Sequence, residues 1–247
     1  MIPKIIHYCW FGRSPLPPLA RKCIASWRKY LPTYEIREWN EDNFDVNIIP
    51  YTAEAYKMKK YAFVSDYARF WILYRYGGLY FDTDVEIIRS MDDIIAHGPF
   101  MGCENGAGRG AMMLGVAPGL GLGSPPGLAL YKDFLDFYKP LSYISEAKKE
   151  SDTVVKYTTQ IMCRYGLRDS SEIQEVAGVR IYPKEYFCPK DYDTGKLKIT
   201  LNTVSIHHYG ASWVPLLERI EHKLWIIMGL KPHRIIWNLK RVFWIKK

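Results

Sequence analysis

Two carboxylates one residue apart, Asp82 and Asp84, follow the apolar and aromatic run Leu79-Tyr80-Phe81. If the chain stays extended there, both side chains point to the same side of it. Two close carboxylates repel, and one would take up a proton. A divalent cation removes the conflict and turns the pair into a ligand set. Asp66 and Arg69 stand three apart, on one face of the helix leading in. A cation, an arginine and a spare carboxylate facing one pocket suit a diphosphate. The same Asp-x-Asp pattern also occurs in solvated turns, so its setting decides. Late in the chain, His207-His208 ends a β-branched stretch and is followed by Trp213. Adjacent histidines in a strand face opposite ways, so at most one reaches a metal directly. An imidazole with two carboxylates makes a Mn²⁺-type donor set.

The elements that would position these groups can be read from pattern. Ser65 is a candidate helix cap, and Asp66 in the first turn would suit the positive end of the dipole. Tyr67, Phe70, Leu73 and Tyr74 recur at helical spacing, and Gly77-Gly78 supplies a left-handed stop. The strand that follows runs into the acids, and Val85 to Ile88 continues it. A first strand over Lys4–Trp10 ends in a tryptophan and Gly12, which places an indole either at a pocket edge or in the core. Leu19 to Tyr30 reads as a helix, Tyr34 to Trp39 as a second strand, and Thr52 as the cap of a helix running to Tyr61. A short helix begins at Ser90-Met91-Asp92-Asp93. Helices follow over Leu128–Tyr138 and Asp152–Tyr165, then a strand over Val179–Tyr182, a loop with Asp191 and Asp193, and a late strand over Lys198–His208. Strands alternating with helices predict an α/β sandwich with a mainly parallel sheet. In open sheets of this kind ligands bind beyond the carboxyl ends of the strands, where Trp10 and the two acids lie.

The chain has 247 residues, 48% hydrophobic and 24% charged, the balance of a soluble globular domain with a real core. Aromatics reach 15%, which fits stacking on sugars or bases and equally a bulky core. Five scattered cysteines, with no Cys-x-x-Cys pair, read as reduced thiols of a cytoplasmic protein. No leader pattern and no apolar run of membrane-spanning length is present. The glycine-rich stretch from residue 100 to 127 has neither a dinucleotide fingerprint nor a P-loop. Its glycines would let backbone approach a ligand, or simply form a mobile loop.

Charge is concentrated at the end. From Val214 to Lys247 eight Lys or Arg stand against two Glu, a net of +6 out of +8 for the whole chain. Leu216, Leu217, Ile220, Leu224, Ile227 and Met228 share a helical face. With a second piece bearing Trp237 and Trp244, they suit either an anionic membrane surface or packing on protein. The expected division is a catalytic domain over 1–215 and a basic amphipathic tail over 216–247. Charge confined to a tail argues against a nucleic-acid-binding protein, and too few clustered acids argue against a metal-dependent phosphodiesterase.

Taken in order, Ile2-Pro3-Lys4-Ile5-Ile6-His7 with Trp10-Phe11-Gly12, then Ser65-Asp66-x-x-Arg69, Gly77-Gly78-x-Tyr80-x-Asp82-x-Asp84 and His207-His208-x-x-x-Ser212-Trp213, resemble the glycosyltransferases with the sugar-binding Asp-x-Asp region. That family takes in mannosyltransferases, bacterial capsular polysaccharide transferases and the catalytic domain of large clostridial toxins. The resemblance implies a GT-A fold, a divalent metal (Mn²⁺ or Mg²⁺), a nucleotide-sugar donor such as a UDP-sugar, retention at the anomeric carbon, and a saccharide or lipid-linked saccharide acceptor. It also implies roles. Trp10 would stack on the donor base, Asp66 would hold donor-sugar hydroxyls, and Arg69 a donor oxygen or phosphate. Tyr80 would contact the ribose or diphosphate. Asp82 would hold ribose or a metal-bound water, and Asp84 would ligate the metal. His207 or His208 would be the late metal ligand, where the toxins have an acid, and Ser212 and Trp213 would close on the diphosphate. The glycine-rich stretch matches poorly, so the acceptor side is not carried across.

Overall fold

The computed structural model describes residues 1–105, 114–147, 154–192 and 194–210. The elements in order are β1 (Ile5–Cys9), α1 (Pro18–Tyr30), β2 (Glu35–Trp39), α2 (Pro50–Lys57), α3 (Tyr61–Tyr76), β3 (Gly78–Tyr80), β4 (Val85–Ile87), α4 (Asp92–Ala96) and β5 (Phe100–Gly102). They continue with β6 (Leu122–Ser124), α5 (Ala129–Tyr138), α6 (Tyr143–Ala147), α7 (Val154–Arg164), β7 (Gln174–Val176), β8 (Val179–Tyr182), α8 (Lys184–Phe187) and β9 (Ser205–His207). Seven strands form one sheet in the order β2-β1-β3-β6-β5-β8-β7, and β4 pairs with β9 in a separate two-stranded sheet. The pairs β1–β2, β1–β3 and β5–β8 are parallel, whereas β6 and β7 run against their neighbours. Five of the seven strands therefore point one way, and the α/β sandwich with a mainly parallel sheet is observed.

Alternation along the strands sends side chains to two cores. His7 and Cys9 of β1 and Tyr80 of β3 face α3, whereas Ile6, Tyr8, Leu79 and Phe81 face α1. Phe70 of α3 stacks on Phe134 of α5 at 4.5 Å, and Trp27 of α1 packs on Phe81 at 5.5 Å. His7 is fully buried and fixes three elements at once. Its Nδ1 accepts from Trp39 Nε1 at 3.0 Å, and its Nε2 meets the Gly77 carbonyl at 3.0 Å. Burial lowers its pKa to about 4, so the ring is a neutral tie between β1, β2 and the α3–β3 turn. The Gly77-Gly78 turn has both residues at positive φ, 65° and 101°, and a Cβ on Gly78 would lie 2.6 Å from the Ile5 carbonyl oxygen.

Several expectations are corrected. Helix α3 begins at Tyr61, four residues before Ser65, whose hydroxyl instead donates to the Tyr61 carbonyl at 3.2 Å inside the helix. Asp66 therefore sits in the second turn and does not meet the dipole end. The extra turn is held by tertiary packing, with Tyr61 on Tyr56 and Phe63 on Tyr143. Likewise α2 opens at Pro50, and Thr52 bonds back to Ile49 rather than capping. The late strand is only Ser205–His207, because Thr200 and Thr203 close a turn on each other. The glycine-rich stretch is not one loop, since it supplies β5 and β6. There Gly123 lets the Phe100 ring pack against bare backbone, where a Cβ would fall 2.2 Å from that ring. Residues 211–247 lie outside the described residues, and with them Ser212, Trp213 and the tail expected over 216–247. Asp193 and the start of the Asp152–Tyr165 helix also lie outside. Among the described residues no helix is long and apolar enough to cross a membrane.

Candidate active site

Strands β1 and β3 run parallel, and their carboxyl ends deliver Trp10 and Asp82 to one edge of the sheet. The chain does not stay extended past Tyr80. The Val85 amide donates to the Asp82 carbonyl at 3.0 Å, closing a turn through Thr83 and Asp84. The two acids therefore diverge instead of sharing one side, and β4 leaves for its own sheet with β9.

Asp82 joins a buried cluster. Its Oδ1 accepts from the Tyr80 hydroxyl at 3.0 Å and lies 3.3 Å from Arg69 Nη2, which is 2.9 Å from Asp66 Oδ1. Arg69 also donates from Nε to the Ser65 carbonyl at 3.1 Å, and its guanidinium stands over the Tyr80 ring. It is only 3% exposed. Burial works against its charge, but Asp82, Tyr80 and Asp66 outweigh that and hold it firmly protonated. Burial pushes Asp66 up to about 7, with Arg69 opposing and Asp82 reinforcing the shift. Beneath the cluster, burial raises the Cys9 thiol to about 12 and keeps it protonated. All five cysteines are thiols outside any disulfide.

Asp84 faces the other way. Its Oδ2 accepts the Gly210 amide at 2.7 Å and lies 3.3 Å from His207 Nε2, while its carbonyl accepts the His208 amide at 3.0 Å. The β4–β9 register, Val85 opposite His207, makes this meeting of distant segments obligatory. Burial alone would raise Asp84, but His207 and the Gly210 amide overcome it and bring the carboxyl to about 2. His207 moves in the opposite sense, with Asp84 raising it against the effect of burial. His207 Nδ1 is buried without a hydrogen-bond partner. His208 turns outward, as adjacent strand residues must, and its Nε2 meets Glu86 Oε2 at 2.7 Å, which also pairs with Lys22 at 2.8 Å. The structure thus brings Asp84 and His207 together and gives Asp82 and His208 other partners. Among the described residues no group of three His, Cys, Asp or Glu is gathered as a metal cage.

Trp10 is half-buried, donates from Nε1 to the Ser14 carbonyl at 2.6 Å, and lines an open cleft of about 240 Å³ with Arg13, Glu38, Asn40 and Glu41. A larger cleft, about 350 Å³, lies between α5 and α7 around Phe137 and Arg164 and contains none of these residues.

Two residues were missed in the sequence. The Gly119 carbonyl accepts the Asp82 amide at 3.0 Å, and the residue lies so close that a Cβ there would fall 2.0 Å from Asp82 Oδ2. Glu104 follows β5, which points the same way as β1 and β3. Burial raises its carboxyl, while the charges of His207 and Lys184 pull it down. An acid just past a strand end was a signal for Glu104. Nothing in the sequence singled out Gly119 among its neighbouring glycines.

Residues 17–101 match the family model described as a glycosyltransferase sugar-binding region containing the DXD motif. An uncharacterized glycosyltransferase of Acanthamoeba polyphaga mimivirus is 35% identical over 106 residues, covering 40% of this chain and 42% of its own. Inositol phosphoceramide mannosyltransferase 3 of Schizosaccharomyces pombe is 27% identical over 125 residues, covering 48% of this chain and 34% of its own. The chain thus spans less than half the length of these curated relatives. Among solved structures, PaToxG glycosyltransferase gives a TM-score of 0.49 at 17% identity, over 66% of this chain and 69% of its own. A glycosyltransferase involved in glycosylation of the major capsid of PBCV-1 gives 0.47 at 12% identity, over 89% and 98%. The family-model match and the curated relatives favour the transferase reading over a phosphodiesterase or a nucleic-acid-binding module. Over the stretch that carries Asp66, Arg69, Tyr80, Asp82 and Asp84, this chain resembles the glycosyltransferases with a DXD-containing sugar-binding region.

Proposed function

We propose that this chain is a glycosyltransferase that moves a sugar, with retention, from a nucleotide-sugar donor to a saccharide or lipid-linked saccharide in surface polysaccharide synthesis. The observation that carries the reading is the Asp84–His207 contact, which joins the family-matched segment to the last described strand. The pair fits a divalent cation. Their donor atoms are 3.3 Å apart, close to the spacing of adjacent corners in a shell with bonds of about 2.1 Å. Asp84 would supply a carboxylate oxygen and His207 an imidazole nitrogen, a set that would suit Mn²⁺ better than the oxygen-seeking Mg²⁺. Bound there, the cation would neutralise charge on the departing diphosphate.

The protein's own groups do the rest. Arg69 is enclosed by Asp66, Asp82 and Ser65, so it fixes the two acids in place instead of reaching for the donor itself. Tyr80 orients Asp82 toward the donor ribose. Asp66, whose carboxyl is poised near neutrality, holds a donor-sugar hydroxyl. The Trp10 ring and its cleft receive the base, for which a UDP-sugar is the donor first tested. A lipid-linked acceptor gains support from the relatives whose names include inositol phosphoceramide.

Release of nucleoside diphosphate from a panel of UDP- and GDP-sugars, followed by mass spectrometry, tests the proposal. One donor should be turned over by the wild type and not by Asp84→Asn. No turnover of any donor by the wild type, or equal turnover by the variant, overturns it.

A further inference from the structure

Of the nine large hydrophobic side chains exposed among the described residues, four fall within ten positions: Tyr192, Leu197, Ile199 and Leu201, the last 91% exposed. Exposed apolar side chains are ordinary when scattered, but clustering of this kind marks a contact surface. Lysines are interleaved with them, and the run Thr194 to Leu201 contains Lys196 and Lys198 with no acid. Both lysines are exposed. Arg89, also exposed, extends the positive edge by donating to the Leu201 carbonyl at 2.5 Å.

The segment is built, with hydrogen bonds at both ends. Lys190 and Leu197 pair as an antiparallel bridge, and the Asp191 amide donates to the Lys196 carbonyl at 2.8 Å. The Lys198 amide donates to the Pro189 carbonyl at 3.1 Å, and the Thr203 hydroxyl donates to the Glu185 carbonyl at 2.8 Å. These bonds tie the segment to the body of the protein and set the outward direction of Leu197, Ile199 and Leu201. The same segment borders the candidate site. Tyr192 packs on Tyr209 at 5.1 Å, and Tyr209 on His207 at 4.3 Å. Lys190 Nζ donates to the His208 carbonyl at 3.2 Å.

We infer that residues 194–201 form a membrane-contact edge that seats the rim of the site on an anionic lipid surface. Alternating aliphatic and lysine side chains suit this environment. The aliphatic ends enter the acyl boundary while the ammonium groups remain among the headgroups. Each lysine near an anionic leaflet adds attraction, so charge complementarity selects acidic lipid over neutral. The inference does not depend on which reaction the site performs. It extends the proposed function by bringing the site to where a lipid-linked acceptor would be held.

Flotation of the full chain with vesicles of phosphatidylcholine, with and without phosphatidylserine, tests it without reading turnover. The wild type should float with the acidic vesicles and stay in solution with the neutral ones. Leu197→Glu with Leu201→Glu, and separately Lys196→Glu with Lys198→Glu, should each lower partitioning at least about tenfold. The lysine pair is a surface change, and its thermal midpoint should match the wild type, so it decides the matter should the leucine pair fold poorly. A wild type that ignores acidic vesicles or floats equally with both kinds overturns the inference. So does a lysine-pair variant that floats like the wild type, since binding would then come from another part of the chain or from covered apolar surface.

Discussion

Gly119→Ala asks how tightly Asp82 is held. The new Cβ would fall 2.0 Å from Asp82 Oδ2 and 2.9 Å from Cγ, where ordinary contact begins at 3.4 Å. Two atoms are too close, so turning the carboxylate about its own axis does not relieve the clash. Asp82 has to shift by about 1 Å, because the Gly119 segment is tied to it by the amide-to-carbonyl bond at 3.0 Å. Oδ1 then leaves the Tyr80 hydroxyl and Arg69, which lie 3.0 and 3.3 Å away. A hydrogen bond to a charged group contributes about 1.5–3 kcal/mol, which corresponds to a fall of roughly 10- to 150-fold in kcat/KM. Gly119 is not at positive φ, so alanine strains no backbone there. Stiffening of the unfolded chain even offsets part of any loss of stability. The expected signature is a large kinetic defect with a small change in thermal midpoint, read by diphosphate release beside a melting curve. Wild-type kcat/KM in Gly119→Ala would refute the claim that Asp82 must stay in register with Arg69 and Tyr80.

Other outcomes follow from the same geometry. The Asp66 carboxyl is raised from 3.8 to about 7, so it binds its proton better folded than unfolded. Its stabilising contribution is complete below the unfolded value and is lost as pH rises toward 7. Asp66→Asn removes that dependence, so its stability relative to wild type should improve between about pH 4 and pH 7, by up to about 4 kcal/mol. A midpoint difference that stays flat across that range would contradict the buried setting of Asp66. His207→Ala should weaken Mn²⁺ dependence of turnover by more than about tenfold. His208→Ala, which removes a ring set against the Glu86–Lys22 pair, should change it less than about threefold. Equal effects of the two substitutions would remove the distinction between the faces of β9.

Much of this arrangement was legible because it depends on local periodicity. The core stripe of α3, the Gly77-Gly78 stop and the parallel strands ending in Trp10 and Asp82 all follow from short-range pattern. The divergence of Asp82 and Asp84 was not legible. It depends on β4 being captured by β9, more than a hundred residues later, and an extended reading of Asp82-Thr83-Asp84 has no access to that pairing. The same pairing chose between the two histidines, which alternation alone left open. Ser65 misled because serine is a good cap, while aromatic packing of Tyr61 and Phe63 extended the helix past it. Gly119 carries no local signal, since its value lies in the closeness of the Asp82 side chain from a distant segment.

The proposed chemistry rests on Asp84 and His207 holding a divalent cation against a nucleoside diphosphate. Titration calorimetry of UDP into the full chain, with and without Mn²⁺, tests it most directly. Mn²⁺ should tighten UDP binding at least about tenfold in the wild type and have no such effect in Asp84→Asn. Equal affinity for UDP with and without the metal, or equal metal enhancement in the variant, would contradict it.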